Sequence, residues 1–137
     1  MARPLDVVAS VALGSAVGGV VRYLLTGAVS QRMGTAFPTG TLLVNVAGCL
    51  AIGFLMRVIL DTGEFSPAAR ALLTTGFCGG FTTFSTFAWE TIAAFEEGAV
   101  RRAGLYVGTS VVFGFLAVWI GSSVAQALLV ALRGKSA

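Results

Sequence analysis

The 137-residue chain has no histidine, only two cysteines, and charge on just 11% of its positions. Each scarcity closes off a class of function. Without an imidazole there is no ready proton shuttle at neutral pH, and Glu96 and Glu97 are adjacent loop carboxylates rather than a facing pair. No catalytic constellation is visible, and an enzyme is the class least supported. Cys49 and Cys78 both lie inside apolar stretches and form no Cys-x-x-Cys pair, which argues against a disulfide framework or a cysteine metal site. A soluble domain carries about 25% charged residues, so the deficit, with 56% hydrophobic residues, points to lipid as the solvent. The net charge of +3 is scattered between apolar segments, forms no basic patch, and excludes a nucleic-acid partner. The length fits one domain. The first apolar run continues past the core of a cleaved signal peptide, and the N-terminus reads as retained.

What is present is apolar length. Measured against the roughly 20 residues that cross a hydrocarbon core, four spans are predicted, at about 6–29, 38–60, 67–95 and 103–131. Uncharged runs of 24, 19 and 30 residues occupy 33–56, 71–89 and 103–132. The first span has 15 uncharged residues before Arg22, which lies near its far end, where a long side chain can snorkel or face a wet cavity. Only helices and closed barrels satisfy the backbone in lipid, and long unalternating apolar runs exclude the barrel. The expected fold is therefore an all-α membrane protein of four transmembrane helices joined by short turns, with Ser66 and Pro67 as N-cap and first helical residue of the third.

Eighteen glycines in a membrane bundle imply close helix contact. Gly14 and Gly18, Gly76 and Gly80, and Gly104 and Gly108 each have the small-xxx-small spacing. The segment Gly76 to Phe87, in the middle of the third span, holds three glycines and four hydroxyl residues in twelve positions, poor material for an unbroken helix. Such a break is either a packing kink or a discontinuity whose freed carbonyl oxygens bind a hard cation. Phe84 and Phe87, three apart, share a face once the helix resumes. They serve either as packing or as a lining in which positive ring edges favour a small anion. Thr41 and Asn45 share a face of the second span, continued by Gly48, and Tyr106 and Ser110 share a face of the fourth. Asn45 is either an interhelical hydrogen bond or part of a lining of amide and hydroxyl donors suited to an anion.

Gly40-Thr41-Leu42-Leu43-Val44-Asn45-Val46-Ala47-Gly48, the segment Gly76 to Phe87, and Gly18-Gly19-Val20-Val21-Arg22 resemble the CrcB/Fluc fluoride channels, across nearly the whole chain. The resemblance implies an antiparallel, dual-topology homodimer in the cell (inner) membrane, with two fluoride pathways, a central sodium ion and passive export of fluoride, conferring fluoride resistance. Carried over by position, the backbone carbonyls of Gly79 and Thr82 would hold sodium. Phe84 and Phe87 would be the pore phenylalanines, and Thr41, Asn45, Tyr106 and Ser110 would line the pathway. Ser85 and Thr86 would form a hydroxyl track, Arg22 would supply positive potential at a pore mouth, and Glu90 would sit near the exit. Ala88 departs from the family pattern, where a serine often stands.

A small dual-topology multidrug or cation exporter has similar length and span count. It needs a membrane-embedded carboxylate, and Asp6 and Glu90 stand near span ends. With four spans, Arg3, Arg57, Arg70, Arg133 and Lys135 fall on one side and Arg22, Arg32, Arg101 and Arg102 on the other. Five against four is almost no positive-inside bias. Either orientation is simply weak, or chains insert both ways. Dual insertion predicts that a cysteine placed in the loop 61–66 is labelled from both faces of the membrane, and labelling from one face only would contradict it.

Overall fold

The computed structural model describes residues 3–134, and Lys135 of the charge comparison lies outside them. Regular structure among the described residues is entirely helical. Helix α1 spans Pro4–Met33, α2 Thr39–Thr62, and a composite helix begins with α3, Pro67–Ala71. It continues as a π-helical segment, Leu72–Cys78, then α4, Gly79–Phe81, and α5, Phe84–Glu96, before α6 spans Val100–Arg133. By length and composition α1, α2 and α6 can each cross a membrane.

The boundaries follow from local chemistry. Pro4 stands in the first turn of α1, where its missing N–H costs nothing, and the Asp6 carboxylate accepts from the Arg3 backbone N–H at 3.3 Å. Gly34, Gly63 and Gly98, at φ 79°, 68° and 75°, turn the chain where a Cβ would be strained. The Ser66 hydroxyl accepts from the Ala69 N–H at 3.2 Å, capping α3 just before Pro67.

Two close pairings build the bundle: α2 packs chiefly on α6, and α1 on the π segment and α4. Lipid gives helices no hydrophobic reason to associate, so contact depends on small residues that let backbones approach. A Cβ on Gly53 would lie 2.3 Å from the Val118 carbonyl oxygen, and one on Gly121 2.2 Å from that of Leu50. On the other pairing, a Cβ on Gly14 would meet the Leu72 oxygen at 2.3 Å and one on Gly18 the Phe77 oxygen at 2.3 Å. Gly76 and Gly80 face them from the composite helix. Gly104 and Gly108 meet nothing within 4 Å, so that stretch of α6 stays open within the chain. The outer surface is apolar, with Phe115 and Trp119 exposed, as lipid requires.

The break in the composite helix differs in detail from the sequence expectation. The glycines stay helical, and the chain extends at Thr82 (φ −92°, ψ 162°) and Thr83 (φ −150°, ψ 119°). The reason is a division of labour. Gly76 and Gly80 are used for contact with α1, whereas β-branched threonine tolerates extended backbone and Thr83 caps the helix that follows.

Gly18→Ala should force α1 off the composite helix and lower stability by about 1–3 kcal/mol. Gly27→Ala, where a Cβ meets nothing within 4 Å, should be neutral or slightly stabilising. Thermal unfolding of the two variants in detergent checks this, and equal midpoints would contradict the packing.

Candidate functional site

The break frees backbone groups, and side chains from two other helices take them up. Thr83 N–H donates to Asn45 Oδ1 at 2.8 Å, and Thr83 C=O accepts from Asn45 Nδ2 at 3.0 Å. In an unbroken helix that N–H would serve the carbonyl of Gly79, four residues back. One amide side chain on α2 thus pairs with the broken strand as a neighbouring strand would. From α1, Arg22 Nη1 donates to the Thr82 carbonyl at 3.1 Å. That oxygen lacks its helical donor because Thr86 N–H turns instead to Thr83 Oγ1, at 3.2 Å. Thr83 Oγ1 in turn donates to Thr86 Oγ1 at 3.0 Å and lies 3.3 Å from Ser85 Oγ. Gly48 gives α2 room for this: a Cβ there would stand 2.1 Å from Thr82 Cγ2.

Aromatic rings continue from the break toward the start of α2. Phe84 and Phe87 lie with centroids 5.7 Å apart, Phe87 and Tyr106 5.1 Å, and Tyr106 and Phe37 5.6 Å edge to face. Tyr106 is buried, and its hydroxyl donates to Glu90 Oε2 at 2.6 Å, while the Thr41 hydroxyl donates to Glu90 Oε1 at 2.9 Å. The Glu90 carboxylate therefore joins α2, α5 and α6. At the adjoining surface Arg102 pairs with Glu97 and donates to the Ala36 carbonyl, tying the loop after α1 to α6.

Three cavities surround these groups. One of about 560 Å³ is lined by Asn45, Gly79, Thr82, Thr83, Phe84, Phe87 and Ser110, with Cys49 at its wall. Ser110 Oγ is buried and has no hydrogen-bond partner among the described residues. A second, of about 580 Å³, is lined by Arg22, Thr41, Thr83 and Thr86. Thr83 lines both, so the break is the wall between them. A third, of about 240 Å³, holds Glu90, Tyr106, Glu97 and Arg102. It adjoins the second through the Thr41–Glu90 hydrogen bond. Ser85 is exposed and reaches the cluster through Thr83. No group of three or more His, Cys, Asp or Glu side chains is placed to ligate a metal among the described residues.

Sequence reasoning did not single out Thr83, the hub of the break, nor the joint that Glu90 makes with Thr41 and Tyr106. Thr83 carried a readable signal, a hydroxyl three residues before Thr86 at the restart of a helix, the spacing of an N-cap. The Glu90 joint carried none, because its three residues come from separate helices.

A family model described as CrcB-like protein, Camphor Resistance (CrcB), matches residues 9–122. The chain is 44% identical over 119 residues to the fluoride-specific ion channel FluC of Acidobacterium capsulatum, covering 87% of this chain and 95% of that one. It is 45% identical over 116 residues to the fluoride-specific ion channel FluC of Solibacter usitatus, covering 85% and 95%. With the protein of the same name from Methylocella silvestris the identity is 44% over 118 residues, covering 85% and 90%.

Asn45→Ala should leave the Thr83 N–H and C=O without their partner, at about 1–3 kcal/mol per unsatisfied group. Deuterium exchange at the Thr83 amide should then accelerate on the order of tenfold or more. Exchange as slow as in the unchanged chain would show that Asn45 does not hold the break.

Proposed function

The chain belongs to the CrcB-like family, and we propose on that premise that it is a fluoride-specific ion channel of the cell (inner) membrane, through which fluoride leaves the cytoplasm passively. Its activity is transport rather than catalysis, and fluoride resistance is its consequence for the cell. The observation that carries this reading beyond kinship is the lining at the break. Fluoride is small and strongly hydrated, so a path must replace water with donors without trapping the ion. The buried Ser110 hydroxyl, unpartnered among the described residues, the second N–H of the Asn45 amide, and the hydroxyls of Ser85 and Thr86 supply donors, while the Thr83 O–H is spent on Thr86. Phe84 and Phe87 supply positive ring edges, which attract an anion more weakly than a cationic side chain would.

A single chain leaves this machinery uncovered. Phe84 is 79% exposed, and Gly79, Ser85 and Thr86 are exposed beside it, within an otherwise apolar helix. Polar groups facing hydrocarbon cost several kcal/mol each. Covering by a second copy relieves that cost, and the open Gly104–Gly108 stretch of α6 also suits a close helix partner. The near-equal basic charge on the two sides supports an antiparallel arrangement, a dual-topology homodimer with a pathway in each half.

The residues at the break also fit a sodium ion. Gly79 is exposed, its carbonyl has lost the Thr83 N–H, and Gly79 and Thr82 line one cavity. Backbone oxygens of both residues, from each copy, form an uncharged oxygen set of the kind hard cations take. Bound there, sodium would neutralise facing carbonyl dipoles and brace the two copies. Asn45 and the Thr83 cap do the rest by holding the extended strand in register.

Replacing Phe84 and Phe87 with Ile keeps apolar bulk and removes the ring edge. Purified protein carrying both changes should lose less than about 1.5 kcal/mol of stability per site, while fluoride flux from liposomes collapses. Unchanged flux per folded dimer would sink the aromatic part of the pathway.

A further inference from the structure

We propose that Arg22 limits how tightly the break holds sodium, by competing with the ion for the same carbonyl oxygen. The inference rests on the reading that Gly79 and Thr82 carbonyls bind sodium, and it assigns Arg22 a role distinct from potential at a pore mouth.

Arg22 reaches the break from α1, across sixty positions of sequence, and its Nη1 donates to Thr82 O at 3.1 Å. That oxygen is one of the two carbonyls in the cation set. A guanidinium keeps its charge and is a donor only, so it draws on the electron density that a sodium ion would use. The ion pairs among the described residues are Arg3 with Asp6, Arg57 with Asp61 and Arg102 with Glu97, and the cavity that Arg22 lines contains no carboxylate. Arg22 is half-buried, and one cation without an ion-pair partner raises the free energy of placing a second nearby. In a two-copy assembly the opposition is doubled, because each copy brings its own Arg22.

The arrangement still has a structural use. Thr82 O has lost its helical donor to the Thr83 cap, and an unpaired carbonyl at this depth is costly. Arg22 supplies a bond when sodium is absent, so the break survives without the ion and the ion is held less tightly than its carbonyl count suggests. By linkage the coupling runs both ways, and sodium must loosen the Arg22–Thr82 bond to the extent that Arg22 weakens sodium.

The donor and the charge can be separated by substitution. Arg22→Gln retains an amide donor without charge, and Arg22→Lys retains the charge. The readout is the sodium concentration at half-maximal thermal stabilisation of purified protein, with N-methylglucamine as the replacement cation. Arg22→Gln should lower that midpoint on the order of tenfold, within the usual range of coupling between sites, and Arg22→Lys should leave it near that of the unchanged chain. A Gln midpoint equal to or higher than the unchanged one overturns the inference, the latter because Arg22 would then be holding the carbonyl in place for sodium. If Arg22→Gln does not assemble, the unchanged chain decides. Its Arg22 side-chain signal, in protein labelled with [15N]arginine, should shift during a sodium titration with the midpoint of the stabilisation. A signal that stays fixed while stabilisation saturates overturns the inference. Absence of any sodium effect on the unchanged chain overturns the sodium reading and this inference together.

Discussion

A helix that stops and restarts inside a bilayer must find partners for every backbone group it frees, since lipid offers none. The rest of this molecule is arranged around that constraint. Asn45 gives both ends of its amide to Thr83, Arg22 gives a guanidinium N–H to Thr82, and Thr83 caps the helix that resumes. Two of these ties come from distant places in the chain, so the break is held by the bundle as well as by its own Thr83 cap. The result is a rigid, extended strand, two residues long, with cavities on both sides.

The glycines serve the same end indirectly. Gly14 and Gly18 against Gly76 and Gly80 bring α1 close enough for Arg22 to reach the break, and Gly48 brings α2 close enough for Asn45. A Cβ on Gly14, Gly18 or Gly80 would meet a backbone oxygen at 2.3 to 2.6 Å and push the helices apart, and one on Gly48 would meet Thr82 Cγ2 at 2.1 Å. Packing thus fixes the donors, and the donors fix the lining. Glu90 extends the logic to the far end, where hydroxyls of Thr41 and Tyr106 satisfy its two oxygens and lock three helices together. On the proposed path an anion would meet many weak donors and ring edges instead of one strong cation, which would favour passage over retention.

Much of this was legible in the sequence, and the exceptions have physical causes. Uncharged length located the helices, because lipid imposes one requirement on every span. The mixture of glycine and hydroxyl residues from Gly76 to Phe87 located the weak point of the third. It did not locate the break within that segment, because glycine serves equally for flexibility and for close approach, and only its neighbours decide which. Gly80 went to contact with Ser15 of α1, and the extension fell on Thr82 and Thr83. Thr41 and Asn45, read as one face, divide between two cavities, since α2 runs past the wall between them. Arg22 read as a charge near a span end; that its partner is a carbonyl sixty positions away could not be seen from spacing.

The central claim is that this lining conducts fluoride and discriminates by donors and ring edges rather than by a fixed cation. Purified protein reconstituted into liposomes tests it most directly, through ion efflux measured with fluoride and then with chloride as the internal anion. The account predicts rapid fluoride efflux that collapses the gradient once a counter-ion path is supplied, with chloride efflux no faster than from protein-free liposomes. Equal rates for the two anions, or no fluoride efflux from a folded and assembled protein, would contradict it.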